Sequence, residues 1–174
     1  DVKYGSGAFM KSLDDARALA RSLVETGERM RVRTSALLTD MNQPLGRLVG
    51  NAIEVDESLE TLSGRGPTDL RDLTLELAAE ALLLAGRASE RDAALQTVAS
   101  ELDSGRALAK FREMVAAQGG NLDAPRPRAP AREITATTAG FVCRIDAQAL
   151  GMAVIELGGG RKMMSDKIDH STGL

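Results

Sequence analysis

Several carboxylate side chains lie in the segment that follows a loop containing proline and glycine. The loop spans residues 40–50, and the helix-like stretch after it contains Glu54, Asp56, Glu57 and Glu60. Backbone carbonyls of such a loop, together with the Glu57 carboxylate, form a set of hard oxygen ligands. Those ligands suit sodium, potassium or calcium and not zinc. On these residues alone, a solvated acidic helix face is the favoured interpretation.

A Gly-Ser-Gly turn at residues 5–7 lies between a strand-like segment and a helix. Backbone N–H groups in this position can bind an anion. The dinucleotide-binding pattern needs a third glycine where Met10 stands, and no P-loop lysine pattern is present. The sequence therefore favours a tight turn over an anion site. The glycines at 158–160 predict the end of a helix followed by a turn. Because the C-terminus of a helix disfavours anions, we reject a phosphate site there.

The residues that usually perform nucleophilic or acid–base chemistry are scarce. His170 is the only histidine and lies in a polar tail, so we expect it on the surface. Cys143 is the only cysteine, and its apolar neighbours predict a small core residue in a strand. No Ser-His-Asp, Cys-His or metal-binding cysteine cluster can be assembled. A lone cysteine excludes an intrachain disulfide, which favours a cytoplasmic protein.

Charge and hydropathy exclude two classes of partner. The net charge is −3, so no clustered basic surface is expected for a nucleic-acid backbone. No apolar run approaches the length of a membrane span. The 174 residues are enough for one domain, or for one domain and part of another.

The elements that must position these residues alternate at first between strand and helix. The patterns predict a strand at Asp1–Tyr4, a helix from Ser12 to Gly27, a strand at Val32–Thr39 and a helix at Asn51–Leu62. This alternation is typical of a parallel α/β unit. The expected fold class is α/β: part of a mixed or parallel sheet flanked by helices, followed by the start of a C-terminal α/β domain.

Three further helices are predicted between residues 67 and 118, and a composition change follows them. Residues 119–132 contain three prolines and three arginines without apolar periodicity, which is typical of an extended linker. Two short strands, at 134–138 and 141–145, and a helix at 146–157 are expected next. The chain therefore divides into an α/β part at 1–118, a linker at 119–132 and the start of a second domain at 133–174.

Several segments resemble thymidine and pyrimidine-nucleoside phosphorylases. The resemblance is carried by DVKYGSGAFMK at 1–11 and by LLTDMNQPLGRLVGNAIEV at 37–55. It continues in GRGPTDLRDL (64–73), FREMVAAQGG (111–120) and AGFVCRIDAQALGMAVIELGGGRKMMSDKIDHSTG (139–173). Together these segments cover nearly the whole chain, and the block at 37–55 is too long and varied for a chance match.

The resemblance implies reversible phosphorolysis of thymidine or other pyrimidine nucleosides, as in pyrimidine salvage. Inorganic phosphate is then the co-substrate, the products are free base and a (deoxy)ribose 1-phosphate, and no organic cofactor is needed. The groups that bind phosphate and base in this family lie upstream of the residue matching Asp1. We therefore expect upstream sequence, a segment that is inactive alone, and a homodimer of the intact protein.

Four residues match functional positions of that family. Phe9 matches the position that lines the base pocket near the pyrimidine 5-substituent. Leu45, Leu48 and Glu57 match the ligands of a potassium ion in some members: two backbone carbonyls and one carboxylate. Leu48 replaces the small residue that is common there.

Two alternatives remain. One is a transferase similar to anthranilate phosphoribosyltransferase, which shares the broad fold but lacks the added C-terminal domain indicated by the 158–173 tail. The other is a non-catalytic module that keeps the fold.

Overall fold

The computed structural model describes all 174 residues. Its elements in chain order are β1 (Val2–Tyr4), α1 (Leu13–Arg29), β2 (Leu38–Asp40), α2 (Ala52–Leu62), α3 (Thr68–Leu84), α4 (Arg91–Asp103), α5 (Arg106–Ala117) and α6 (Ala147–Val154), which continues into a π-helical turn at Ile155–Gly159. β1 and β2 pair in parallel, with Val2 opposite Leu38 and Tyr4 opposite Asp40. The predicted parallel α/β class is confirmed.

Helix α1 connects the two strands and packs on the small sheet. The Ser12 hydroxyl accepts a hydrogen bond from the Asp15 amide at 3.1 Å, which is the predicted N-cap. Ala16 and Ala20 are buried against Val2. These small side chains let the helix approach the sheet closely, and the loops at the ends of the strands are positioned by this β-α-β unit.

The end of α1 differs from the prediction. Gly27 lies inside the helix, which continues to Arg29, and Arg31 adopts the left-handed conformation with φ 61°. The Val32 amide donates to the Gly27 carbonyl and the Arg31 amide to the Glu28 carbonyl, which is the Schellman pattern. A Cβ on Gly27 would lie 2.0 Å from the Thr34 hydroxyl oxygen. The absence of a side chain at Gly27 therefore leaves room for Thr34 to pack against the helix, and this glycine does not end the helix.

The predicted strand at residues 32–39 is shorter in the structure, where only Leu38–Asp40 pair with β1. Strand geometry requires a hydrogen-bonded neighbour, and β1 supplies just three residues. The remaining helices form a layer in which α3 packs on α4, α4 on α5 and α5 on α2. No helix combines the length and the apolar character that crossing a bilayer requires.

The two strands predicted at 134–138 and 141–145 are wrong. Both stretches are irregular in the structure, and the side chains of Ile134 and Phe141 are 88% and 98% exposed. Neither stretch pairs with another strand, and an unpaired strand is unstable. Cys143, predicted as a core residue, is consequently an exposed free thiol.

The C-terminal segment returns to the start of α2. The amides of Val49 and Leu174 each donate to the other's carbonyl, at 2.9 and 2.8 Å. The Ala52 amide donates to the carbonyl of His170, whose side chain is exposed as predicted. Asn51 donates a hydrogen bond from its side-chain amide to the Gly159 carbonyl at 2.7 Å.

The irregular 119–132 stretch is also attached to the helical layer, because Arg126 and Arg128 both form ion pairs with Asp56 on α2.

Candidate functional site

Two loops meet at the carboxyl end of the parallel strands, where open α/β sheets bind ligands. One follows β1 and contains the Gly-Ser-Gly turn; the other follows β2 at residues 41 and 42. The Ser6 amide donates to the Asn42 side-chain oxygen at 3.0 Å, and the Gly7 amide donates to the Met41 carbonyl at 3.0 Å. Asn42 is itself fixed by Asp40, whose carboxylate accepts from the Asn42 backbone and side-chain amides.

Hydrogen bonds within this turn exclude an anion cradle built from its amides. In addition to Ser6 and Gly7, the Gly5 amide donates to the Met10 carbonyl and the Ala8 amide to the Gly5 carbonyl. Four successive N–H groups are therefore paired inside the protein. The tight turn favoured by the sequence is confirmed. The Ser6 hydroxyl oxygen is buried and has no hydrogen-bond partner.

Phe9 projects from the loop after β1, and its side chain is 97% exposed. It lines an open pocket of about 540 Å³ that runs along the loop, the free side of β1 and the outer face of α1. The apolar lining is formed by Val2, Ala8, Phe9, Met10, Leu19, Leu23 and Met41. Its polar lining includes Lys3, Lys11 and Gln148. Such a surface can accept a planar apolar face beside polar groups.

Helix α6 reaches this pocket from the far end of the chain. The Lys11 ammonium donates to the Ser6 carbonyl at 2.8 Å and to the Gln148 side-chain oxygen at 3.2 Å. A Cβ built on Gly7 would lie 2.9 Å from the Cβ of Ala147, so helix and loop are in direct contact. The N-terminus of α6 is fixed in turn by Asp146, whose carboxylate caps the Ala149 amide at 3.0 Å.

Glu57 is buried in α2, with 6% of its surface exposed, and its carboxylate points into the 41–50 loop. Its Oε1 accepts a hydrogen bond from the Arg47 amide at 3.0 Å, whereas Oε2 accepts none. Gly46 has φ 75°, and a Cβ there would lie 2.3 Å from Oε2. Glycine is therefore needed at 46 for both conformation and space. Glu57 is not the solvated acidic residue that its neighbours alone would suggest.

Leu45 and Leu48 lie on the same loop and line a second pocket together with Glu54 and Leu73. Neither their carbonyl oxygens nor those of the other loop residues from Pro44 to Arg47 accept a hydrogen bond from the protein. The Gly46 amide is held by Asp69, at 3.0 Å. Loop carbonyls and a carboxylate are hard oxygen ligands of the kind that suit sodium, potassium or calcium. No group of three or more His, Cys, Asp or Glu side chains is placed to hold a metal.

The sequence predicted Phe9 and Glu57 as single positions, but not the residues that support them. Asn42 could have been found from the Asp-x-Asn spacing at 40–42, which is typical of a side-chain-stabilised turn. Nothing in the sequence relates Lys11 to Gln148, because they lie 137 residues apart. Only the folded chain brings this pair together.

Comparison with known proteins assigns the chain to a family. Residues 1–108 match the family described as glycosyl transferase family, a/b domain, and residues 141–174 match the pyrimidine nucleoside phosphorylase C-terminal domain. The first match places the α/β part among glycosyl transferases. The chain belongs to the thymidine and pyrimidine-nucleoside phosphorylase family.

Curated relatives match the chain along its full length. The thymidine phosphorylase of Mycobacterium tuberculosis (strain ATCC 25618 / H37Rv) is 50% identical over 175 residues, which is 100% of this chain and 40% of that protein. The pyrimidine-nucleoside phosphorylase of Staphylococcus haemolyticus (strain JCSC1435) is 42% identical over 180 residues, which is 100% of this chain and 42% of that protein. The chain thus spans about two fifths of the length of these relatives.

Proposed function

We propose that the whole protein catalyses reversible phosphorolysis of thymidine or related pyrimidine nucleosides. The observation that carries this proposal is the match at 50% and 42% identity, over the full chain, to relatives named for that activity. In the reaction, an oxygen of inorganic phosphate bonds to the anomeric carbon while the bond from that carbon to the base nitrogen breaks. The products are the free base, which takes up a proton, and a pentose 1-phosphate.

In this proposal, residues of this chain line the pocket for the base and hold the loops around it. Phe9 stands at the carboxyl edge of the sheet and presents an exposed ring to a pocket, which suits contact with a pyrimidine. The groups that bind phosphate and withdraw charge from the leaving base would then come from parts of the whole protein outside this chain. The segment alone would be inactive, and the intact protein would act as a cytoplasmic homodimer in pyrimidine salvage.

A potassium ion is the second part of the proposal, with the Leu45 and Leu48 carbonyls and the Glu57 carboxylate as its ligands from this chain. Support comes from the buried Glu57 carboxylate with one unpaired oxygen, and from loop carbonyls that no protein donor occupies. The ion would supply a fixed positive charge that holds the 41–50 loop to the rest of the site. Leu48 contributes only its backbone, so its larger side chain leaves that ligand intact.

The test is base release from thymidine and uridine by the complete gene product, with and without inorganic phosphate. Release of thymine or uracil that requires phosphate is the expected result, and the two rates give the nucleoside preference. A folded protein that releases neither base would overturn the proposal and favour the phosphoribosyltransferase-like or non-catalytic alternative.

A further inference from the structure

The contact between the Phe9 loop and helix α6 joins two parts of the chain that match different family models. Lys11 and Gly7 lie in the part that matches the glycosyl transferase domain, whereas Ala147 and Gln148 lie in the part that matches the C-terminal domain. The linking bond is the one from the Lys11 ammonium to the Gln148 side-chain oxygen, at 3.2 Å. Both side chains also line the pocket beside Phe9.

We propose that Lys11 and Gln148 are positioning residues, through which helix α6 sets the orientation of the Phe9 loop and hence selectivity at the pyrimidine 5-position. This inference rests on the proposed function, because it assigns a cause to the nucleoside preference. Lys11 is two residues from Phe9 and also donates to the Ser6 carbonyl at 2.8 Å. One ammonium group therefore clamps the start of the loop and ties its end to α6.

Close packing between Gly7 and Ala147 adds a steric contact to the hydrogen bond between the loop and α6. Gly7 leaves no room for a side chain, because an added Cβ would lie 2.9 Å from the Ala147 Cβ and 3.1 Å from the Met41 carbonyl oxygen. Asp146 caps α6 immediately before this contact and so fixes which side chains the helix presents. A shift of α6 would thus be transmitted to the loop by both steric contact and hydrogen bonding.

The test uses Lys11→Met, Gln148→Met and the double variant in the complete gene product. The readout is the ratio of kcat/KM for thymidine to that for uridine. We expect each single variant to change this ratio by roughly threefold to tenfold, the size of a typical net hydrogen bond. The double variant should match Lys11→Met, because that substitution already removes the link to Gln148 as well as the bond to the Ser6 carbonyl. Lys110→Met and Gln96→Met, on exposed helix surfaces, should leave the ratio unchanged.

A purely structural role would lower thermal stability without changing the ratio between substrates. In an active enzyme, an unchanged ratio in both single variants, or additive effects in the double variant, would overturn the proposal. Gly7→Ala offers an independent check: it should perturb the ratio, and Ala147→Gly in the same chain should partly restore it.

Amide hydrogen exchange separates failure of this inference from failure of the proposed function, since it needs no catalysis. Gln148→Met should speed exchange at Gly5 and Gly7 in the loop. If the wild-type protein releases no base yet shows this coupling, the positioning contact stands and the proposed function fails. Unchanged exchange in the loop would reject the contact, whatever the activity.

Discussion

Glu57 is a largely buried residue whose two carboxylate oxygens differ in their contacts. Its Oε1 accepts from the Arg47 amide, and its Oε2 packs against Gly46. A buried charge is costly unless hydrogen bonds or a cation compensate it. The protein supplies one hydrogen bond, and in the proposed site a cation would contact Oε2. The surroundings of Glu57 are compatible with the proposed ion, whose ligands were named from the family resemblance.

Glu57→Gln tests the cation role in the complete protein. Glutamine keeps the size of the side chain and can still accept from the Arg47 amide, but it removes the negative charge. We expect the potassium concentration for half-maximal activity to rise by roughly tenfold or more. Glu60→Gln, an exposed position on the same helix, is the matched control. An identical potassium dependence in Glu57→Gln would remove this carboxylate from the site.

Phe9→Ala tests the pocket role of the other predicted residue. Since the Phe9 side chain is 97% exposed, its loss should leave the thermal stability nearly unchanged. Loss of an apolar contact with the pyrimidine 5-methyl group should shift the thymidine-to-uridine preference by about tenfold. Phe141→Ala is the control, because that ring is 98% exposed and lies outside the pocket. Equal preferences in Phe9→Ala and wild type would exclude a pocket role.

At the scale of elements, the turn that follows α1 places a non-glycine residue in the left-handed conformation, which is unfavourable for such residues. Arg31 has φ 61° in the Schellman turn, where glycine is the usual residue. Arg31→Gly should therefore raise the free energy of unfolding by about 1 kcal/mol, since strain is removed from the folded state. Arg29→Gly, inside the last helical turn, should lower it by a similar amount. Equal effects of the two substitutions in a denaturant titration would contradict this account.

The ion pairs from Arg126 and Arg128 to Asp56 on α2 should make the attachment of the 119–132 stretch depend on pH. Burial alone raises the pKa of Asp56, but hydrogen bonds and charge attraction from Arg126 and Arg128 outweigh it, so the pKa is lowered below 3.8. A depressed carboxyl pKa adds stability above the unfolded value, and that stability is lost as pH falls through the folded value. The contribution should thus be complete near neutrality and decrease as the pH falls below 3.8 toward the lower folded pKa.

Asp56→Asn measures that contribution. The variant should melt at a lower temperature than wild type at pH 7, and the two melting temperatures should approach each other as the pH falls below 3.8. Trypsin should also cut faster after Arg128, because the variant no longer holds this side chain. Asp72→Asn, an exposed position on α3, should do neither. A melting difference that persists unchanged at low pH would assign the effect to packing and not to the charge.

The elements that the sequence predicts well are those stabilised locally. The Ser12 cap and the apolar spacing of α1 are local signals, and the structure has that helix. The extent of Val32–Thr39 and the stretches at 134–138 and 141–145 depended on distant pairing, which periodicity does not encode. In the site, Glu57 was predictable as a type of ligand, but its burial under Gly46 and the Lys11–Gln148 contact are products of tertiary packing.

At the scale of the whole molecule, the C-terminal segment is joined to the loop that carries the proposed cation ligands. Val49 and Leu174 exchange backbone hydrogen bonds one residue after Leu48, and the Ala52 amide donates to the His170 carbonyl. Asn51 lies between these contacts and donates to the Gly159 carbonyl instead of capping α2 with its side chain. The end of the chain therefore braces the start of the helix that holds Glu57.

Asn51→Asp would release this brace while preserving the start of α2. Aspartate has the same shape and is as good an N-cap as asparagine, but it cannot donate to the Gly159 carbonyl and places a negative charge beside it. Loss of one such hydrogen bond should speed amide exchange at Val49, Ala52 and Leu174 by about fivefold to tenfold. Amides in the middle of α2 should not change, which separates a released brace from a melted helix. Uniformly faster exchange through α2 would show that Asn51 serves the helix itself, and the join between the C-terminal segment and the cation loop would then be carried by the backbone alone.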